Sequence, residues 1–264
     1  MERSLSVLRK IRDAARMLAC GHWRRLVRAA RLRLHSDYIC IGLRRDARIP
    51  FSPPAAAIPI IVRPLSPADD LSILDIDAPG LSGEVAYTRL GVRRLLQSGI
   101  STCFVAIGPD GKPCHMQWLI TAKENPKLRA EFGDLFPALE PDQAMIEGAY
   151  TPERHQRLGV MAEATARIAA RAPEFGARWV LGFTVERNHA SLKAAMRAGF
   201  RPYLRRVESW RLFRRRITFT PLPEGTLLPF EPHLGGAAAE SARASSAANS
   251  ESSVSPRSET THQE

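Results

Sequence analysis

Residues 144 to 172 hold the arrangement best suited to chemistry. Ala144-Met145-Ile146-Glu147 opens an apolar stretch that reads as a strand, Gln156-Arg157-Leu158-Gly159 reads as a sharp turn, and the chain from Val160 to about Ala172 reads as helix. A glycine-containing turn that enters a helix directly leaves several backbone N–H groups unpartnered at the positive end of the helix dipole. Such donors make a seat for phosphate. Two histidines are further acid–base candidates. His155 sits in the turn between Arg154 and Arg157 and reads as solvent-facing, whereas His115 lies on a strand facing solvent or substrate. The cysteines at 20, 40, 103 and 114 have neither the density nor the spacing of a disulfide framework or a zinc site. With Asp110-Gly111 as a two-residue hairpin turn, Cys114 falls opposite Ile107 and Cys103 opposite Trp118, so these two do not meet. Four reduced thiols and a cytoplasmic setting are expected.

The elements that must position this turn follow from periodicity. Ile58 to Arg63 is β-branched and reads as the first strand of the main domain. Ser66-Pro67-Ala68-Asp69-Asp70 reads as the capped start of a helix to about Ile76, and a second helix is expected over Gly83 to Gln97. Thr102 to Ile107 and Pro113 to Thr121 flank Pro109-Asp110-Gly111-Lys112, a strong hairpin signal. Residues 123 to 142 form an irregular or partly helical connection whose aromatics cover an apolar surface or a substrate mouth. A strand over Trp179 to Val185 and a short helix ending at Gly199 follow the central turn, then strands over Pro202 to Arg206 and Glu208 to Phe219. Strands alternating with helices give an α/β architecture around a mixed sheet.

The 264 residues carry a net charge of +11, with 44% hydrophobic and 25% charged residues. That is globular composition with an excess that favours an acidic partner: a phosphorylated cofactor, a nucleic acid or an anionic membrane. Most of the excess lies in residues 1 to 50, where two amphipathic basic helices are expected over 5–18 and 23–34, with a weak strand over Tyr38 to Leu43 and a proline-rich linker after it. These helices either pack their apolar stripe on the main domain or meet anionic lipid or an acidic protein. Nucleic acid is disfavoured, because no aromatic stacking platform accompanies the arginines. Arg205, Arg206, Arg211, Arg214, Arg215 and Arg216 mark a second basic area, a solvated sheet edge or a contact for phosphate or an acidic acceptor. No apolar run approaches a membrane span, and the segment from 231 has almost no large apolar residues and reads as disordered.

Tyr150-Thr151-Pro152, Gln156-Arg157-Leu158-Gly159-Val160-Met161 and Asn188-His189-Ala190-Ser191 through Ala198-Gly199-Phe200, in this order, resemble the GNAT acetyltransferase superfamily over residues 58 to 219. The resemblance implies a mostly antiparallel sheet flanked by helices and splayed between its fourth and fifth core strands. It implies acetyl coenzyme A as co-substrate and no metal, with Tyr150, Gln156, Arg157, Leu158, Gly159, Val160, Met161, Asn188 and Ser191 about the coenzyme. It further implies Glu147 as the base that accepts a proton from the amine, a small molecule or a peptide. Three departures stand out. Met161 takes a position where a small residue is usual. Ala195 stands where many relatives carry a tyrosine that protonates the leaving thiolate, which leaves Tyr203 or Tyr150 for that role. Pro152 lies one residue farther from Gln156 than the common spacing, a slip that a bulge at Gly148 would compensate. The expected domains are a basic extension over 1–57, the catalytic domain over 58–230 and a tail over 231–264. The alternative is a catalytically weak coenzyme A-binding module that docks to a membrane or acidic partner through its N-terminal helices.

Overall fold

The computed structural model describes residues 12, 14, 15, 17–19, 21 and 23–228. The expected tail over 231–264 and most of the expected helix over 5–18 lie outside these residues. The chain divides into a unit ending at Gly225 and a second beginning at Thr226, of which only 226–228 are described.

The weakly alternating stretch around Tyr38 is part of a 12-residue strand, β1 (His35–Asp46), which follows helix α1 (Trp23–Leu34). The other strands are β2 (Ile61–Pro64), β3 (Cys103–Ile107), β4 (Pro113–Thr121), β5 (Gln143–Tyr150), β6 (Trp179–Val185), β7 (Arg201–Arg211) and β8 (Arg214–Pro221). They form one sheet in the order β2-β3-β4-β5-β6-β1-β7-β8. All neighbours are antiparallel except β5 and β6. The first strand in sequence is therefore an inner strand, paired along its length with β6 and β7. A boundary at residue 57 is corrected by this pairing: β1 belongs to the sheet that the following residues build.

Helices α2 (Gly83–Leu96) and α3 (Asn125–Phe132) cover one face, and α4 (Val160–Ala170) with α5 (His189–Arg197) covers the other. On the first face Val92, Leu95 and Leu128 pack against Val105, Met116, Trp118, Ile120 and Met145. On the second, Val160 and Ala164 pack against Ile60, Ala106 and Cys114. The proline-rich connection between β1 and β2 is fastened along this second face. Ala56 N–H donates to Glu163 (2.6 Å), Ala57 N–H donates to the Leu158 carbonyl (2.7 Å), and the Phe51 ring abuts Gly199. Arg45, buried on β1, donates from one guanidinium nitrogen to the carbonyls of Ala166 and Ala198, both at 3.1 Å. One cation thus caps the carboxyl end of α5 and ties it to the last turns of α4.

Two local expectations change. The helix expected over 66 to 76 is reduced to a single 3-10 turn, Ser72–Leu74. Asp69 accepts from Ser66 N–H and pairs with Arg63, and Asp70 accepts from Ser72 N–H, so both carboxylates take up backbone donors in turns instead of starting a helix. The β3–β4 hairpin closes through a longer loop, with Gly108 N–H bonded to Lys112 carbonyl. Ile107 consequently faces Pro113, and a register shift leaves Cys114 bulged, while Cys103 does face Trp118. Among the described residues no helix is long and apolar enough to cross a membrane.

Candidate active site

The parallel pairing of β5 and β6 runs from Gln143↔Trp179 to Ile146↔Gly182 and stops. Beyond it β5 follows β4, ending at Met116↔Tyr150, and β6 follows β1, ending at Cys40↔Val185. The two strands part because each stays with its other neighbour. A cavity of about 370 Å³ occupies the gap. It is lined by Thr88, Gly91, Val92 and Leu95 of α2, by Ile146 to Ala149 and Gly182 to Val185 of the parting strands, and by Met161, Thr165, Asn188, Ser191 and Ala195 of the opposite layer. The walls come from helices on both faces, so the cavity passes through the sheet.

Glu147 lines this passage at the first residue past the last parallel pair. Trp118 lies directly opposite it on β4, and both Gly148 and Ala149 then stand against the single residue Gln117. That is a β-bulge, and it needs its glycine: Gly148 has φ +67°, and a Cβ there would come within 2.9 Å of the Trp118 ring. Glu147 is half-buried, and burial pushes its pKa up, while the Gly148 N–H and the Arg206 guanidinium work the other way. Arg206 is itself buried. It donates to the Leu135 carbonyl (3.1 Å) and to Cys40 Sγ (2.9 Å), and its guanidinium lies 5.3 Å from the ring centres of both Phe136 and Phe183. The expectation of a solvated edge holds for its neighbours on β8 and not for Arg206.

The turn before α4 has the backbone of an anion seat. Arg157 (φ 63°) and Gly159 (φ 78°) are left-handed, and Gly159 is the residue at which the helix begins. The N–H groups of Arg157 to Met161 make no protein hydrogen bond among the described residues. Gln156 turns its side chain back to the Thr151 carbonyl (3.1 Å), holding the loop closed. Asn188 caps α5 by accepting from Ser191 N–H (3.2 Å), and both residues line the cavity. The plain capping role is therefore present together with a place at the cavity wall.

The site does not gather every residue that the sequence suggested. Tyr150 shares the α2 face with Glu147, because the bulge inserts one residue between them, and its hydroxyl accepts from Arg89 Nε at 2.8 Å. Its side chain is thereby directed away from the phosphate turn. Tyr203 packs beside Phe183 with Arg44 over its ring (5.7 Å) and is not among the cavity-lining residues. Burial pushes its phenol up to about 12. His115 faces neither solvent nor the cavity: it is fully buried, Nδ1 lies 2.7 Å from Thr151 Oγ1, and burial pushes its pKa down to about 4. His155 is half-buried, its pKa lowered first by burial and then by Arg154.

No family model matches the sequence, and no curated protein does. Among solved structures the chain is similar to an acetyltransferase of the GNAT family from Colwellia psychrerythraea, at 12% identity and a TM-score of 0.42 over 71% of this chain and 57% of that one. It is also similar to a GCN5-related N-acetyltransferase from Sphaerobacter thermophilus, at 13% identity and a TM-score of 0.41 over 76% and 57% of the two chains. A tandem GNAT protein of the clavulanic acid biosynthesis pathway gives 13% identity and a TM-score of 0.41 over 75% and 58%. The chain thus spans less than two thirds of the length of these proteins.

Several wall residues escape sequence reasoning. Thr88, Gly91, Val92 and Leu95 fall at i, i+3, i+4 and i+7 and so share one helical face. Gly91 is the one signal that could have marked that face, since glycine inside a helical pattern costs stability and usually has a reason. A Cβ there would meet only Arg94, at 3.9 Å, so the missing side chain leaves open space. Phe132, one of the aromatics of the 123–142 connection expected at a substrate mouth, completes this side with Glu131 at the end of α3, and Leu43 of β1 joins the wall from the segment expected to be an extension.

Proposed function

We propose that the protein transfers an acetyl group from acetyl coenzyme A to a primary amine by direct attack. The observation that carries this reading is the passage through the sheet, with free backbone donors in the turn before α4 and the Glu147 carboxylate one residue past the last parallel pair of β5 and β6. Pyrophosphate carries dispersed negative charge, which the fixed N–H groups of Arg157 to Met161 meet without a metal. Asn188 and Ser191 line the route from that turn into the gap, and the strand edges past Ile146 and Gly182 offer peptide groups to an extended amide-bearing arm. Bound acetyl coenzyme A supplies a thioester whose carbonyl carbon accepts the amine nitrogen.

The amine enters from the α2 and α3 side, where Glu131 and Glu147 line the wall together with Arg94. Glu147 takes the amine's proton as the N–C bond forms, and its raised pKa makes it a better base than an exposed carboxylate. Ala195 lines the passage, and Tyr203 does not. Coenzyme A therefore leaves as the thiolate without a side-chain acid, which its ordinary thiol pKa of about 8.5 permits. The acceptor belongs to the class of small or peptidyl primary amines.

Thiol release in the presence of acetyl coenzyme A and a panel of amines tests this reading. Turnover of at least one amine, with mass spectrometry locating the acetyl group on nitrogen, is expected. Absence of any coenzyme binding, or binding with turnover of no amine, contradicts it.

A further inference from the structure

β7 and β8 are joined by two residues only, since Arg211 pairs with Arg214. A two-residue hairpin loop needs positive φ and is normally built from asparagine and glycine. Here the loop is Leu212-Phe213, with φ of 47° and 63°. Bulky apolar residues held in the left-handed region are costly and uncommon. These two are also 78% and 58% exposed, so packing does not repay the strain within the described chain. The tip is flanked by Arg214 and Arg216, which are exposed and have no carboxylate partner among the described residues.

Helix α1 ends against this tip: Leu212 N–H donates to Leu34 carbonyl and Phe213 N–H to Arg33 carbonyl, both at 2.8 Å. The helix packs on the body through Leu26, which joins the cluster of Met17, Ile76 and Leu90. A different stripe, Trp23, Val27, Ala30 and Leu34, recurs at i, i+4, i+7 and i+11 and is exposed throughout. It runs to the hairpin tip. Arg24, Arg28 and Arg31 form an exposed row beside it. An apolar stripe bordered by arginines is the pattern of a helix that lies in a lipid interface.

We propose that α1 and the Leu212-Phe213 tip together dock on an anionic lipid bilayer, with the two loop side chains entering the acyl boundary and the arginines meeting lipid phosphates. Two copies joined through this surface would bring like-charged arginine rows together, and interface cores are depleted of charge. A projecting two-residue tip needs no shape-complementary pocket in a bilayer, which accepts apolar side chains at the depth its headgroups allow. The surface is separate from the passage through the sheet, and the inference stands whether or not acetyl transfer is the reaction.

Co-sedimentation of the full chain with vesicles of phosphatidylcholine, alone or with phosphatidylserine, tests it. The expected result is binding to the anionic vesicles that weakens as salt is raised. The informative variant is Leu212→Asn with Phe213→Gly, which gives the loop the residues that its geometry prefers. It should raise the melting temperature while weakening vesicle binding about tenfold, so that loss of binding cannot be assigned to misfolding. Replacement of Arg24, Arg28 and Arg31 by glutamine should remove most of the preference for anionic lipid. No binding to anionic vesicles, or equal binding by the Asn-Gly variant, overturns the proposal. So does a concentration-dependent dimer that the Asn-Gly variant abolishes while vesicle binding is unchanged.

Discussion

Glu147 is the residue on which the proposed chemistry turns. Its pKa is raised by burial and restrained by Arg206, so the rate should rise with pH through an ionisation above the usual carboxylate value of about 4.3. Glu147→Gln should remove that limb and lower kcat roughly 100- to 10,000-fold with little change in coenzyme affinity. Arg206→Met removes the positive charge that favours the carboxylate, and should move the limb to higher pH; a limb that stays in place would separate Arg206 from the base. Tyr203→Phe should leave kcat unchanged. His115 makes a different prediction, about stability. Its folded pKa of about 4 lies below the ordinary 6.5, so between these values the unfolded chain binds more protons and folding stability falls as the pH is lowered. The loss over that window is about 3 kcal/mol for one buried group. Chemical denaturation of the protein and of His115→Phe across pH 4 to 7 checks it, the variant showing the shallower decline.

At the scale of elements, the turn before α4 was legible because its signal is local: a glycine that must be left-handed, followed at once by helical periodicity. The bulge in β5 was legible as a spacing anomaly around Gly148. Its consequence was not, because the face on which Tyr150 emerges depends on pairing with β4, which no local pattern carries. The helix expected from Ser66 failed for a related reason, since Asp69 found Arg63 and the backbone of its own turn. Gly148→Ala places a Cβ against the Trp118 ring at positive φ, and should cost about 2–4 kcal/mol and reduce turnover by displacing Glu147. Gly91→Ala should do the opposite to stability, gaining roughly 1 kcal/mol as a helix substitution, while narrowing the acceptor side and raising KM for bulky amines. Thermal melts and steady-state kinetics on the two variants separate these effects.

For the whole molecule, the α/β class around a mixed sheet could be anticipated from the order of elements, and the parting of two adjacent strands from the resemblance carried by the residues about the turn. The place of β1 could not. Its alternation is weak because it is an inner strand buried without a break from Cys40 to Leu43, and its buried charge, Arg45, is satisfied by carbonyls of α4 and of the residue after α5. A chain beginning at residue 58, the boundary that the sequence suggested, lacks the strand that pairs β6 to β7 and should not fold to the native state by circular dichroism or gel filtration. A folded, coenzyme-binding product from that truncation would contradict the topology. Amide hydrogen exchange addresses the backbone donors of Arg157 to Met161 themselves. Adding acetyl coenzyme A should slow exchange in the segment 156–162 more than in any other described part of the chain, with lesser protection along β5 and β6 beyond Ile146 and Gly182. Unchanged exchange in 156–162 at saturating acetyl coenzyme A would contradict the account.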